Sequence, residues 1–171
     1  HTFVGDLNNR HGELAETLAQ TLTQAGLTAT AVTDIRQRLW QKLAVNAAIN
    51  PLVALNGVRN GELRDDAYAG RVVAVVQEVA AIMLAEGIAP PNNGQGGASW
   101  LALVWQVIEN TANNKASMLQ DIEAKRPTER GAILGPLIES ADRHGLACNT
   151  LQALNNEIAV LEASYSRTLN H

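Results

Sequence analysis

From residue 34 onward the apolar residues of this chain fall three and four positions apart, and the runs they form are closed by glycines. That spacing is the period of one helix face and conflicts with the alternation of a half-buried strand. Three runs end alike, in QAGLTA, AEGIAP and RHGLAC, each with Gly followed by an aliphatic residue. Gly enters the left-handed conformation that folds the backbone back on the last helical turn, and the aliphatic residue packs there. The intervals between the three are too irregular for a repeat protein. Only LTATAV alternates, which predicts one short strand near 28–32. The expected fold class is therefore all-α, with roughly six or seven helices. They cover about 11–25, 34 to a break at Pro51, 64–86, 98–112, 115–124, 128–144 and 150–167. Leu14, Leu18 and Leu22 mark one face of the first, and Thr33 or Asp34 can cap the second. Val72, Val75, Val76, Val79, Ile82 and Met83 are the expected buried face of the third. Pro51 cannot donate a backbone hydrogen bond and disfavours helical geometry at Asn50, so the second helix is expected to kink or stop there.

Composition narrows the functions open to such a bundle. A chain of 171 residues holds one good-sized domain with at most an appendage. Net charge is -4 and pI about 5.5, giving no basic field for nucleic acid or an anionic membrane. No run approaches the roughly 20 apolar residues that span a bilayer, and HTFVGDLNNRHG lacks the regions of a signal peptide. The expectation is a soluble, cytoplasmic protein with neither nucleic acid nor membrane as partner. Cys148 is the only cysteine and reads as a reduced bystander thiol; no Cys/His cluster has metal-ligand spacing, so no metal is expected. GQGG at 94–97 follows a proline loop rather than a strand and reads as a linker turn, not a phosphate cradle. His144, beside Gly145, reads as a helix cap.

One helix carries an unusual polar stripe. In LWQKLAVNAAINPL, Lys42, Asn46 and Asn50 recur at four-residue steps, which stack along a single face about 6 Å apart. Leu43, Ala44, Val45, Ala47, Ala48 and Ile49 fill nearly every other face, so this helix is expected to be surrounded by protein. Asn is poor in a helix interior and needs a partner there. An ammonium flanked by two carboxamides suits a small ligand rich in oxygens, since Lys donates and bears charge while Asn both donates and accepts. The alternative is a buried structural Lys paired with a carboxylate, and two Asn residues satisfying loop backbone.

KLAVNAAINPLVALNGVRNGEL and, further on, NNKASMLQDIEAKRPTE closely resemble the C-terminal half of the ketopantoate reductase (2-dehydropantoate 2-reductase) family. The resemblance runs from Gly5 through the last helix. It implies that residues 1–32 are the tail of an N-terminal NADP-binding Rossmann domain. Residues 33–171 would be the all-helical substrate and catalytic domain, like that of 6-phosphogluconate dehydrogenase. The implied activity is NADPH-dependent reduction of ketopantoate to pantoate, with NADPH held mainly outside this chain and a fragment inactive alone. By the same resemblance Lys42 is the catalytic general acid, and Asn46, Asn50 and Asn60 hold the substrate's oxygens. Asn114 and Ser117 meet its hydroxyl or carboxylate end, and Glu129 lies at the cofactor side. The implied partner is a small 2-oxo acid, with a homodimer compatible.

This chain departs from the family pattern at Val53, where Thr is common, at Arg130 and Gly131 in place of Ile-Asp, and at Leu134 in place of Asn. Those changes put the exact substrate in question. Two further readings stay open: a reductase of a related 2-oxo acid, and a non-catalytic helical dimerisation module.

Overall fold

A computed structural model describes residues 1–168. In order, it contains β1 (Thr2–Val4), α1 (Gly12–Gln24), β2 (Ala29–Ala31), α2 (Ile35–Asn56), α3 (Asp66–Ala85), α4 (Gly96–Asn110), α5 (Ser117–Glu123), α6 (Arg130–His144) and α7 (Asn149–Thr168). A 3-10 turn, Asn60–Arg64, precedes α3, and another, Pro91–Asn93, precedes α4. The chain falls into two compact units, His1–Lys42 and Leu43 onward.

In the first unit, β1 and β2 pair in parallel, with Thr2 opposite Ala29 and Val4 opposite Ala31. Parallel neighbours need a crossover, and α1 is that crossover. The expected strand is present; its partner β1 was not expected. α1 packs on β2 through Ala15 and Ala19, 8% and 5% exposed, whereas Leu14 and Leu18 are 67% and 47% exposed. The leucine spacing thus located the helix but not its packed face, because small residues let a helix lie close on a strand pair.

The second unit is all-helical and organised around α3. Val72, Val75, Val76, Val79, Ile82 and Met83, the face read from the sequence, are at most 2% exposed. By length and composition α3 is apolar enough to cross a bilayer, contrary to the expectation that no segment is. Here α4, α6 and α7 pack against it. Trp100, Val104 and Ile108 of α4, Leu134 and Leu137 of α6, and Leu151, Leu154 and Ile158 of α7 complete the core. Burying each large side chain contributes about 1.5–3 kcal/mol, so the unit rests on these interlocking faces.

All three glycine stops take the geometry their sequences imply. Gly26, Gly87 and Gly145 have φ of +88°, +68° and +64°. In each, the N–H of the next residue returns to a carbonyl five residues earlier: Leu27 to Leu22 at 3.0 Å, Ile88 to Met83 at 2.8 Å, Leu146 to Ala141 at 2.9 Å.

The helix does not stop at Pro51: α2 continues past it to Asn56. An internal proline removes one helical hydrogen bond and costs about 3 kcal/mol. Leu52 and Val53 beside it are fully buried, and that burial offsets the loss. His144 stands in the last turn of α6, at the helix end as expected, and places Nε2 3.4 Å from Glu86 Oε1. Cys148 is 2% exposed, and burial pushes its thiol above the ordinary cysteine range, in keeping with a bystander.

Candidate functional site

Along α2 the polar stripe descends from solvent into the helical core. Lys42 is exposed, Asn46 half-buried and Asn50 8% exposed. Among the described residues Lys42 forms no ion pair and Asn46 no side-chain hydrogen bond. The expectation that protein surrounds this helix holds from Ala44 to Ala54 and not at Lys42. A buried structural lysine paired with a carboxylate is therefore absent here.

Asn50 begins a chain of side chains from three helices. Its Nδ2 donates to Ser117 Oγ at 3.4 Å, and the Ser117 hydroxyl in turn donates to Glu129 Oε1. Ser117 opens α5 and Glu129 occupies the N-cap position of α6, so both stand where helices begin. The Glu129 side chain makes no cap; only its carbonyl serves the helix, accepting from the N–H groups of Ala132 and Ile133 at 3.0 Å. An acidic residue at a helix start ordinarily serves the exposed N–H groups of that helix. This one reaches across to a hydroxyl on another element.

Asn60 joins the same region through the α4–α5 connection. Its Nδ2 donates to Thr111 Oγ1 at 2.9 Å, and the Thr111 hydroxyl donates to the Val107 carbonyl at 2.7 Å. With that hydroxyl proton committed, the amide of Asn60 can only donate to Thr111, which fixes its orientation. The backbone of the 3-10 turn grips residues 112–114: Asn60 N–H to the Asn114 carbonyl at 3.1 Å, Gly61 N–H to the Ala112 carbonyl at 3.0 Å, and the Arg59 guanidinium to the Asn113 carbonyl. Gly61 permits this approach, since a Cβ there would lie 2.8 Å from Ala112 Cβ. Asn60 Oδ1 is buried and has no hydrogen-bond partner among the described residues.

The structure thus links Asn50, Ser117 and Glu129 by side chains, and Asn60 with Asn114 by backbone; Asn114 itself is exposed. Lys42 and Asn46 share α2 with Asn50 but touch none of the others by hydrogen bond. Sequence reasoning missed Thr111 and Arg59. Arg59 had a local signal, because Glu62 three residues on accepts the Arg59 N–H at 2.7 Å in capping-box fashion. The departures Val53 and Leu134 are fully buried, so they alter the core and not the exposed groups of this site. Arg130 pairs with Glu162 of α7 at 2.9 Å. Burial opposes ionisation of Glu162, but hydrogen bonds from Thr128 and Arg130 outweigh it and hold the carboxyl below its ordinary value.

The Gly94–Gly97 turn, read from the sequence as a linker, runs into α4 at Gly96. A Cβ at Gly94 would meet the Ser99 hydroxyl at 1.9 Å, so this turn closes on itself.

Fold and site together define an all-helical domain that offers amides, a hydroxyl and a carboxylate from separate elements. The family described as ketopantoate reductase PanE/ApbA C terminal matches residues 34–162, and the chain belongs to it. The 2-dehydropantoate 2-reductase of Vibrio cholerae serotype O1 is 38% identical over 166 residues, covering 97% of this chain and 54% of that protein. That of Archaeoglobus fulgidus is 35% identical over 164 residues, covering 95% and 53%. The solved 2-dehydropantoate 2-reductase from Methylococcus capsulatus aligns at a TM-score of 0.76 and 29% identity, over 95% of this chain and 54% of that one. The chain spans about half the length of the curated relatives it matches.

Proposed function

We propose that this chain is the substrate-binding and catalytic part of an enzyme that reduces 2-dehydropantoate to pantoate with NADPH. Residues 1–32 would be the tail of its dinucleotide-binding domain, in keeping with the parallel β1–α1–β2 crossover. The observation that carries the reading is the Asn50–Ser117–Glu129 chain, whose Asn50 shares α2 with Lys42, itself without an ion pair among the described residues. Relatives bearing that activity in their names, at 35–40% identity, support it.

The chemistry asks little more of the protein. The nicotinamide, when bound, supplies the hydride. As the ketone becomes an alkoxide, negative charge grows on one oxygen, and the Lys42 ammonium stabilises that charge and gives up its proton there. Asn46 and Asn50 hold the substrate's oxygens one and two turns along α2. Asn60, Asn114 and Ser117 grip its hydroxyl and carboxylate end, and Glu129 faces the cofactor side. The reduction is tested in the complete protein by following NADPH absorbance with ketopantoate present. Lys42→Ala is expected to lower kcat by about 10²–10⁴, the contribution of one positioned general acid, with the melting temperature unchanged because no ion pair is lost. A variant with near-normal kcat, or one that unfolds, would overturn Lys42 as the acid.

A further inference from the structure

Glu129 is the most conspicuous member of the site to sit on a connection rather than inside a helix. Residues 124–129 link α5 to α6, and Lys125 within them has a positive φ of +54°. Such a segment does not hold a carboxylate in place by itself. What holds it is α7. The Tyr165 hydroxyl donates to the Arg126 carbonyl at 2.7 Å. Glu162, one turn earlier, takes the two residues that flank Glu129. Its Oε1 accepts from both the N–H and the hydroxyl of Thr128, each at 2.7 Å, and its Oε2 accepts from Arg130 Nε at 2.9 Å. Asn155, two turns back, accepts from the Arg130 guanidinium at 2.9 Å.

We infer that Glu162 is a positioning residue, which fixes the Thr128–Arg130 backbone so that Glu129 meets the Ser117 hydroxyl. The inference rests on the reading of Glu129 as part of the site. Three features carry it. Glu162 Oε1 holds both the N–H and the hydroxyl of Thr128, and that hydroxyl accepts from the Arg130 N–H at 3.3 Å, so the backbone on both sides of Glu129 is tied to Glu162 and cannot turn without breaking at least one bond. Glu162 is only 18% exposed and Arg130 31%, which sets these charge-assisted bonds in a partly dry setting where they strengthen. The Glu129 side chain leaves its own helix uncapped, so local geometry does not otherwise orient it. A carboxylate on α7 thus presents a carboxylate at the site through the residues on either side of it.

A double-mutant cycle in the complete protein, read as kcat/KM for ketopantoate with NADPH, tests this. Residues coupled through one contact network show interaction effects of about 2- to 150-fold, whereas independent effects multiply. Glu162→Ala should lower kcat/KM within that range in the wild-type background and by less than about twofold when Glu129 is already Ala. Glu162→Gln, which keeps an acceptor for Thr128 and loses only the ion pair, should restore most of the rate. Equal losses in both backgrounds would mean that Glu162 merely supports the fold, and no loss in the wild-type background would mean that nothing needs positioning; either overturns the inference. Should Glu162→Ala fail to fold, the same cycle with Tyr165→Phe decides on the same criteria. If the unaltered complete protein does not reduce ketopantoate, the proposed function and this inference fall together; normal activity with multiplicative losses removes the inference alone.

Discussion

Gly61→Ala offers the sharpest trial of the site's scaffold. The added Cβ would lie 2.8 Å from Ala112 Cβ and 3.1 Å from both the Cα and the carbonyl oxygen of Ala112. Carbon atoms in contact settle near 3.5–4.0 Å, so the two turns must part by about 1 Å. The obstacle includes backbone, which cannot swing aside as a flexible side chain would. Overpacking of this kind costs about 1–3 kcal/mol. The same parting stretches the 3.0 Å bond from Gly61 N–H to Ala112 and the 3.1 Å bond from Asn60 N–H to Asn114. Losing one of these adds about 0.5–1.5 kcal/mol, giving about 1.5–4.5 kcal/mol in all. Denaturant unfolding should show a lower midpoint at unchanged slope. Gly70→Ala is the control: Gly70 lies inside α3 and a Cβ there meets nothing within 4 Å, so that change should stabilise by about 0.5–1 kcal/mol. A Gly61→Ala protein as stable as the parent would refute the close approach of the two turns and, with it, the placement of Asn60.

Other outcomes follow from single contacts. Asn46→Ala and Asn50→Ala should mainly raise KM for ketopantoate in steady-state kinetics of the complete protein, because amides that grip ground and transition states alike contribute uniform binding. The Glu86 carboxyl is held below its ordinary value, chiefly by the Ser140 hydroxyl and then by Arg143, against the opposing effect of burial. Its contribution is present above the ordinary carboxylate value and is lost as pH falls through the lowered one. Glu86→Gln should therefore destabilise near neutral pH and converge with the parent as pH falls through that lowered value, as thermal melts across pH would record. Cys148 should resist alkylation in the native protein and react once it is denatured, since burial both covers the thiol and disfavours its thiolate.

The parts of the fold legible in the sequence are those encoded locally. Val72 to Met83 announce a buried helix face because α3 is packed along one side at the helical period. Gly26, Gly87 and Gly145 announce helix ends because each requires a positive φ. β1 escaped because three residues carry no period to read, and it is held by a partner some 27 positions away. The turn after it escaped too: the Asp6 carboxylate accepts from the N–H groups of Asn8, Arg10 and His11, a motif with no hydrophobic pattern. In the site, the Lys42–Asn46–Asn50 stripe was visible because all three share one helix. The bond between Asn60 and Thr111, like the hold of Glu162 on Thr128, joins residues far apart in the chain, which no local spacing records.

The site is also where this chain breaks its own local rules. Asn46 and Asn50 stand inside a helix that has no propensity for them. Glu129 forgoes a cap worth roughly 1 kcal/mol to reach Ser117. Asn60 keeps a buried oxygen without a donor, at a cost of about 1–3 kcal/mol, while its nitrogen is committed to Thr111. By contrast, where a charge is drawn inward in α3 it serves the fold: Glu78 accepts the first N–H groups of α7, from Thr150 at 2.7 Å and Leu151 at 2.9 Å. Costs scattered at random would mark a poorly specified fold. Here they converge on the segments around α2, the α4–α5 connection and the start of α6. A ligand that supplies donors to the amide oxygens would recover part of them on binding.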